Sequence, residues 1–176
     1  SLLGSPAVVG GAAATGLYDT ENFDLLKDAI GKKADAGVDT VAEIQNLISI
    51  VNRLQQIAGG TNPSSISPAL TTQDLLDLGI VGVTDNNLGA LLQKVKDSPG
   101  DGSGTNSIAA LQNMVGKADA ALGRISNFAD LNTLSSTDGD GSDDVYAVGS
   151  VKPTLADYTD AGTQQVITSN VASYND

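Results

Sequence analysis

At 176 residues the chain is long enough for one domain or two small ones. Its net charge of −12, with only nine scattered Lys and Arg, argues against nucleic acid and anionic membrane surfaces as partners, and the absence of Cys excludes thiol and disulfide chemistry. Without His as well, the commonest general bases and nucleophile pairs are missing, and no apolar run of about 18 to 20 residues predicts membrane insertion.

The predicted elements follow from caps and apolar spacing. Residues 1–18 are uncharged and broken by Gly4, Pro6, Gly10 and Gly11, and they lack the basic flank of a signal peptide. They read as a linker or as an apolar arm that packs into a neighbouring copy. Thr20 caps a predicted helix with Phe23, Leu26 and Ile30 on one face, and GKKADAG breaks it. Thr40 and Glu43 form an S/T-x-x-E capping box, opening a helix whose stripe is Val41, Ile44, Ile48, Val51 and Leu54 and whose end is Gly59 and Gly60. After the turn-rich TNPSSISPAL, Thr71 and Asp74 resemble a short capping box, and Gly79 closes a helix of two turns at most. Asp85 is expected to cap a helix bearing Leu88, Leu91, Leu92 and Val95. Ser107 opens a longer one with Ile108, Leu111, Val115, Ala118, Leu122 and Ile125 buried. FADLNTL adds a helical turn, STDGDGSDD is a loop, and VYAVGSV alternates like a strand too short for a sheet. Thr154 and Asp157 restart the short-helix motif, and Thr168 or Ser169 caps a last helix.

Parts of this pattern recur. Asp74, Asp77, Gly79, Val83, Asn87 and Leu88 fall opposite Asp157, Asp160, Gly162, Val166, Asn170 and Val171 at a fixed shift. Asn22, Phe23, Leu26 and Ile30 fall opposite Asn87, Leu88, Leu91 and Val95; Val41, Ile44, Gln45 and Ile48 fall opposite Ile108, Leu111, Gln112 and Val115. The fold expected is all-α: small three-helix-bundle-like units in tandem, with Gly/Asp-rich loops and little or no β structure. The divisions are an N-terminal arm or linker (1–14), a partial unit (15–60), a second unit (61–129), an acidic linker (130–152) and the start of a third unit (153–176). Because the apolar residues are mostly Ala, Val, Ile and Leu, each unit has modest apolar surface, and neighbours are expected to share its burial.

The pairing of DLLDLG or DYTDAG with V-T-x-x-N-L, together with DTVAEIQNLI, resembles the GA-like helical repeat modules of very large Gram-negative surface and secreted repetitive proteins. The resemblance covers residues 15–125 and 153–176; the SPGDGSGT insertion and residues 127–151 depart from it. It implies a spacer or adhesive array, of the adhesin or biofilm-matrix kind, often exported by type I systems with calcium in the surroundings.

One constellation could carry ligand chemistry. Asp138, Asp140, Ser142 and Asp144 stand at alternate positions, as do the first oxygen donors of many calcium loops. The Gly and bidentate Glu of an EF-hand are replaced by Asp143 and Gly149, so the alternatives are weak calcium binding and a solvated acidic turn. No catalytic residue and no other cofactor is expected; Asp74 and Asp77, one turn apart, are explained by their place beside a cap. Asn87 and Asn170 are expected to form local hydrogen bonds. The function expected is that of a non-enzymatic structural or adhesive repeat protein, extracellular or at a bacterial surface. Its partners would be proteins or further copies of itself. The alternatives are a filament subunit polymerising through the N-terminal arm and a helical module that binds a host protein.

Overall fold

The computed structural model describes residues 20–99, 103–133 and 151–175, and all regular structure among them is helical. The order is α1 (Thr20–Lys32), α2 (Val41–Ala58), α3 (Thr72–Leu78), α4 (Asp85–Lys96), α5 (Ile108–Thr133) and α6 (Leu155–Asp160), with short 3-10 turns between and after them.

Helix α2 begins as its capping box requires. The Glu43 N–H donates to Thr40 Oγ1 at 3.3 Å, and the Thr40 N–H donates to Glu43 Oε2 at 3.0 Å. Gly59 ends it, and Gly60 takes the left-handed conformation at φ +94°. Its buried apolar residues are Leu47, Ile50, Val51, Leu54, Ile57 and Ala58, a wider set than one stripe, because α1, α3 and α4 all pack on it. The expected stripe loses its first member at the N-terminus, where Val41 is 70% exposed.

Three expectations are corrected. In α1 the buried residues are Leu25 and Ala29, flanked by the partly buried Leu26 and Ile30, while Phe23 is 63% exposed. Phe23 shares a helical edge with Ile30, but the side that meets α2 is centred between Leu25 and Ala29, and a first-turn residue at the edge misses it. Helix α4 is capped by Thr84 rather than Asp85: the Thr84 N–H donates to Asn87 Oδ1 at 2.8 Å, leaving Asp85 as the first helical residue. The last helix is a 3-10 turn, Val171–Tyr174, with the Ile167 N–H held by Asn170 Oδ1 at 2.7 Å. Four residues presenting only Val171 and Tyr174 as larger apolar groups are too few to offset helix nucleation.

Helix α5 is opened by Ser107, whose Oγ accepts the Ala110 N–H at 3.2 Å, and by a cap from another helix, Asp28 of α1 accepting the Ile108 N–H at 2.8 Å. It absorbs the turn expected after residue 127 and runs to Thr133, so the linker expected from residue 130 begins inside the helix. Ile108, Leu111, Val115, Ala118, Ala121 and Phe128 are buried along it. Helix α6 packs mainly on α5, much as α3 packs on α2.

One hydrophobic cluster runs from Leu25 of α1 through α2, α3 and α4 to Val115 of α5. The segments expected as separate units, 15–60 and 61–129, therefore share a core, as the small aliphatic composition demands. No helix among the described residues is long and apolar enough to cross a membrane.

Gly79 and Gly162 follow α3 and α6 at φ +100° and +78°. A Cβ at Gly79 would meet open space, whereas one at Gly162 would lie 2.9 Å from Ala90 Cα of α4. Gly79→Ala is expected to cost about 1 kcal/mol of left-handed strain. Gly162→Ala should cost clearly more, because helix backbone cannot yield as a side chain does; urea midpoints of the two variants measure the difference.

Candidate functional site

The chain has two arginines, Arg53 on α2 and Arg124 on α5, and both reach the capping box of the next short helix. At the first, Asp74 Oδ2 accepts the Thr71 N–H at 2.9 Å, and the Asp74 N–H returns to Thr71 Oγ1 at 3.1 Å. Arg53 then binds the same carboxylate with both terminal nitrogens, Nη2 to Oδ1 at 3.0 Å and Nη1 to Oδ2 at 3.2 Å. Its Nη1 also donates to the carbonyl oxygen of Ala69 at 3.1 Å, so one guanidinium fixes both the short helix and the linker before it. Arg53 is buried.

The second clamp repeats the first. Asp157 Oδ2 accepts the Thr154 N–H at 2.7 Å, the Asp157 N–H donates to Thr154 Oγ1 at 3.3 Å, and Arg124 pairs with Oδ1. Asp157 is buried, but the Arg124 side chain is 46% exposed. The ends of the two short helices also match. The Ile80 N–H bonds the Leu75 carbonyl at 2.8 Å, and the Thr163 N–H bonds the Tyr158 carbonyl at 2.9 Å. Beyond them Gly82 and Gln165 both have positive φ, and the side-chain amides of Asn87 and Asn170 donate to their carbonyls at 2.9 and 3.0 Å. Asn87 additionally donates to Asp119 Oδ1 of α5 at 2.6 Å, a longer reach than the local role expected of it.

Burial alone would raise the Asp74 carboxyl, but the hydrogen bonds from Arg53 and Thr71 outweigh it and hold the group below its ordinary value. Burial acts the same way on Asp157, and the Thr154 N–H and Arg124 again prevail. Both oxygens of each carboxylate accept from the arginine or the box threonine, an arrangement that locks helices together. Asp77 is engaged separately, accepting from Gln73 at 2.8 Å. Burial, assisted by the charge of Asp157, raises the Tyr158 hydroxyl, which lies 2.8 Å from Asn175 Oδ1.

A third contact ties a loop to α5. Gln112 accepts the Val81 N–H at 2.9 Å and donates to the Val81 carbonyl at 2.8 Å, as a neighbouring strand would. Between α4 and α5 an open cleft of about 650 Å³ is lined by Lys94, Asp97, Asn113, Met114, Lys117 and Thr159. Lys94 is paired with Asp160 of α6.

The sequence-predicted calcium residues Asp138, Asp140, Ser142 and Asp144 lie outside the described residues. No group of three or more carboxylates that could hold a metal ion occurs among the described residues. The arginine clamps escape a reading by caps and periodicity, although the scarcity of Arg and its placement on the helix before each T-x-x-D box are visible signals. No family model matches the chain, and neither a curated protein nor a solved structure matches it.

Arg53→Met should cost about 3 kcal/mol, because Asp74 is left charged and partly buried without its partner. Arg124→Met should cost less, since solvent already screens the exposed guanidinium. Asp28, Asp74 and Asp157 all titrate below the ordinary aspartate value, so their stabilisation is complete above about pH 4 and is lost as pH falls through their folded values. The urea midpoint should therefore be level from pH 7 to 5 and drop below about pH 4, with a shallower drop in Arg53→Met.

Proposed function

We propose that the chain is a non-enzymatic structural or adhesive protein, built as a tandem array of helical units of the GA-like kind and working outside the cell or on a bacterial surface. The observation that carries this reading is the doubled clamp: Thr71, Asp74 and Arg53 recur as Thr154, Asp157 and Arg124, with the same glycine turn and asparagine lock behind each short helix. Such agreement in hydrogen-bond detail supports a repeated unit whose first helix is fastened to the last helix of the unit before it.

In this array, force or ligand load passes from one long helix to the next through the clamp and the shared core. The acidic surface keeps neighbouring arrays soluble and apart, in keeping with the net charge of −12. The charged groups at the clamps are consumed in fastening helices, which favours a mechanical over a catalytic role. No described observation favours the filament built through the N-terminal arm, because residues 1–19 lie outside the described part of the chain.

The unit reading is tested by inserting a second copy of residues 20–84 between Thr84 and Asp85, which keeps the parent's own junctions and adds one, Thr84 to Thr20, at the equivalent place in the repeat. A larger urea slope with a single transition at an equal or higher midpoint is expected, since a unit and a unit–unit interface are added together. A separate, weaker transition for the inserted segment would refute the array. Location is checked by labelling intact cells with antibody against the chain; signal only after lysis would remove the surface assignment.

A further inference from the structure

The two short helices share a clamp but not an anchorage. In α3, Leu75 and Leu78, with the following Ile80, are at most 1% exposed and belong to the cluster that runs through the molecule. Their counterparts behind the second clamp, at the fixed shift that sets Asp157 opposite Asp74, are Tyr158, Ala161 and Thr163. Tyr158 is buried, Ala161 half-buried and Thr163 exposed, and no residue from 151 to 175 belongs to that cluster. Helix α3 therefore cannot leave α2 without opening the core, whereas α6 can leave α5 and keep it closed.

The α6 segment is also tied to itself. Asn175 donates to the Pro153 carbonyl at 2.8 Å and accepts the Tyr158 hydroxyl at 2.8 Å, and the rings of Tyr158 and Tyr174 lie 5.6 Å apart. Both ends of the segment thus close on the middle of α6, so it can move as one piece. Two ion pairs fasten it outward, Asp157 to Arg124 of α5 and Asp160 to Lys94 of α4. Gly162 also rests against Ala90 of α4.

We propose that residues 151–175 form a releasable strap on the wall of the α4–α5 cleft, held by charge and opening as a unit while α1 to α5 stay folded. Thr159 and Lys94 line that cleft together, so the strap is part of its wall. Release removes that part, frees Lys94 from Asp160 and uncovers Ala90, which is 6% exposed beneath Gly162. Local opening costs little where few buried apolar contacts are lost. Salt weakens the fastenings, because the screening length falls from about 10 Å at 0.1 M to about 3 Å at 1 M. The clamp at α3 lacks this response, since Arg53 is buried and the helix is anchored in the core.

The test is amide hydrogen exchange near neutral pH, read by mass spectrometry on peptides from residues 151–175, from α3 and from α2, in about 20 mM and about 1 M NaCl. The strap is expected to be protected at low salt, yet to exchange at least about tenfold faster than α2 and with little dependence on urea, the mark of an opening that exposes little surface. Helix α3 should exchange no faster than α2. Raising the salt should speed exchange of the strap at least about threefold. The double substitution Lys94→Met and Arg124→Met should speed it further, remove its salt response and leave α2 protected. Equal rates in the strap and α2, or a strap unprotected at low salt, would overturn the proposal. So would strap exchange that neither salt nor the double substitution alters, or loss of α2 protection along with that of the strap.

Discussion

The position of each short helix depends on an arginine from the long helix before it. Helices of seven and six residues, α3 and α6, cannot sustain themselves, because nucleation costs more than so few internal hydrogen bonds return. A capping box improves the first turn but leaves the helix free to pivot. Arg53 removes that freedom at α3 by taking both oxygens of the capping Asp74 and the carbonyl of Ala69, so that cap, helix and linker share one anchor on α2. At α6 the carboxylate is buried and the arginine is not, a looser version of the same device.

Small aliphatic side chains impose the second constraint. A unit of Leu, Ile, Val and Ala has too little apolar surface to close a core alone, so α1, α3 and α4 all pack on α2 and one cluster runs from α1 into α5. The polar contacts between elements then act as registers. Asp28 caps α5 from α1, Gln112 pairs with Val81, Asn87 reaches Asp119, and Lys94 meets Asp160. Each joins segments far apart in sequence, and each would be misplaced by a slip of one helical turn.

What could be read in the sequence was local. The boxes at Thr40, Thr71 and Thr154 span four residues each and were legible for that reason, as was the buried side of α5 from Ile108 to Ala118. The face of α1 was not, because Phe23, Leu26 and Ile30 satisfy helical spacing as well as Leu25 and Ala29 do, and only the direction of α2 decides between them. The cap of α4 was misplaced by one residue because Asn87, not Asp85, supplies the oxygen. The arginine clamps join residues 21 and 33 positions apart, beyond any cap or period.

The repetition is closest in the short helices and their turns and loosest in the long ones. Gln45 and Gln112 stand in one register, but Arg53 and Arg124 stand in another, one helical turn further on, so α5 has gained a turn between its loop contact and its clamp. An added turn of about four residues nearly preserves the face while lengthening the helix by about 6 Å. Both contacts can therefore be kept while the distance between them changes. A unit built in this way tolerates variation in spacing and still presents the same two fastenings to its neighbours. The mechanical role proposed above would need only that tolerance, because two fastenings carry load without fixing the distance between them.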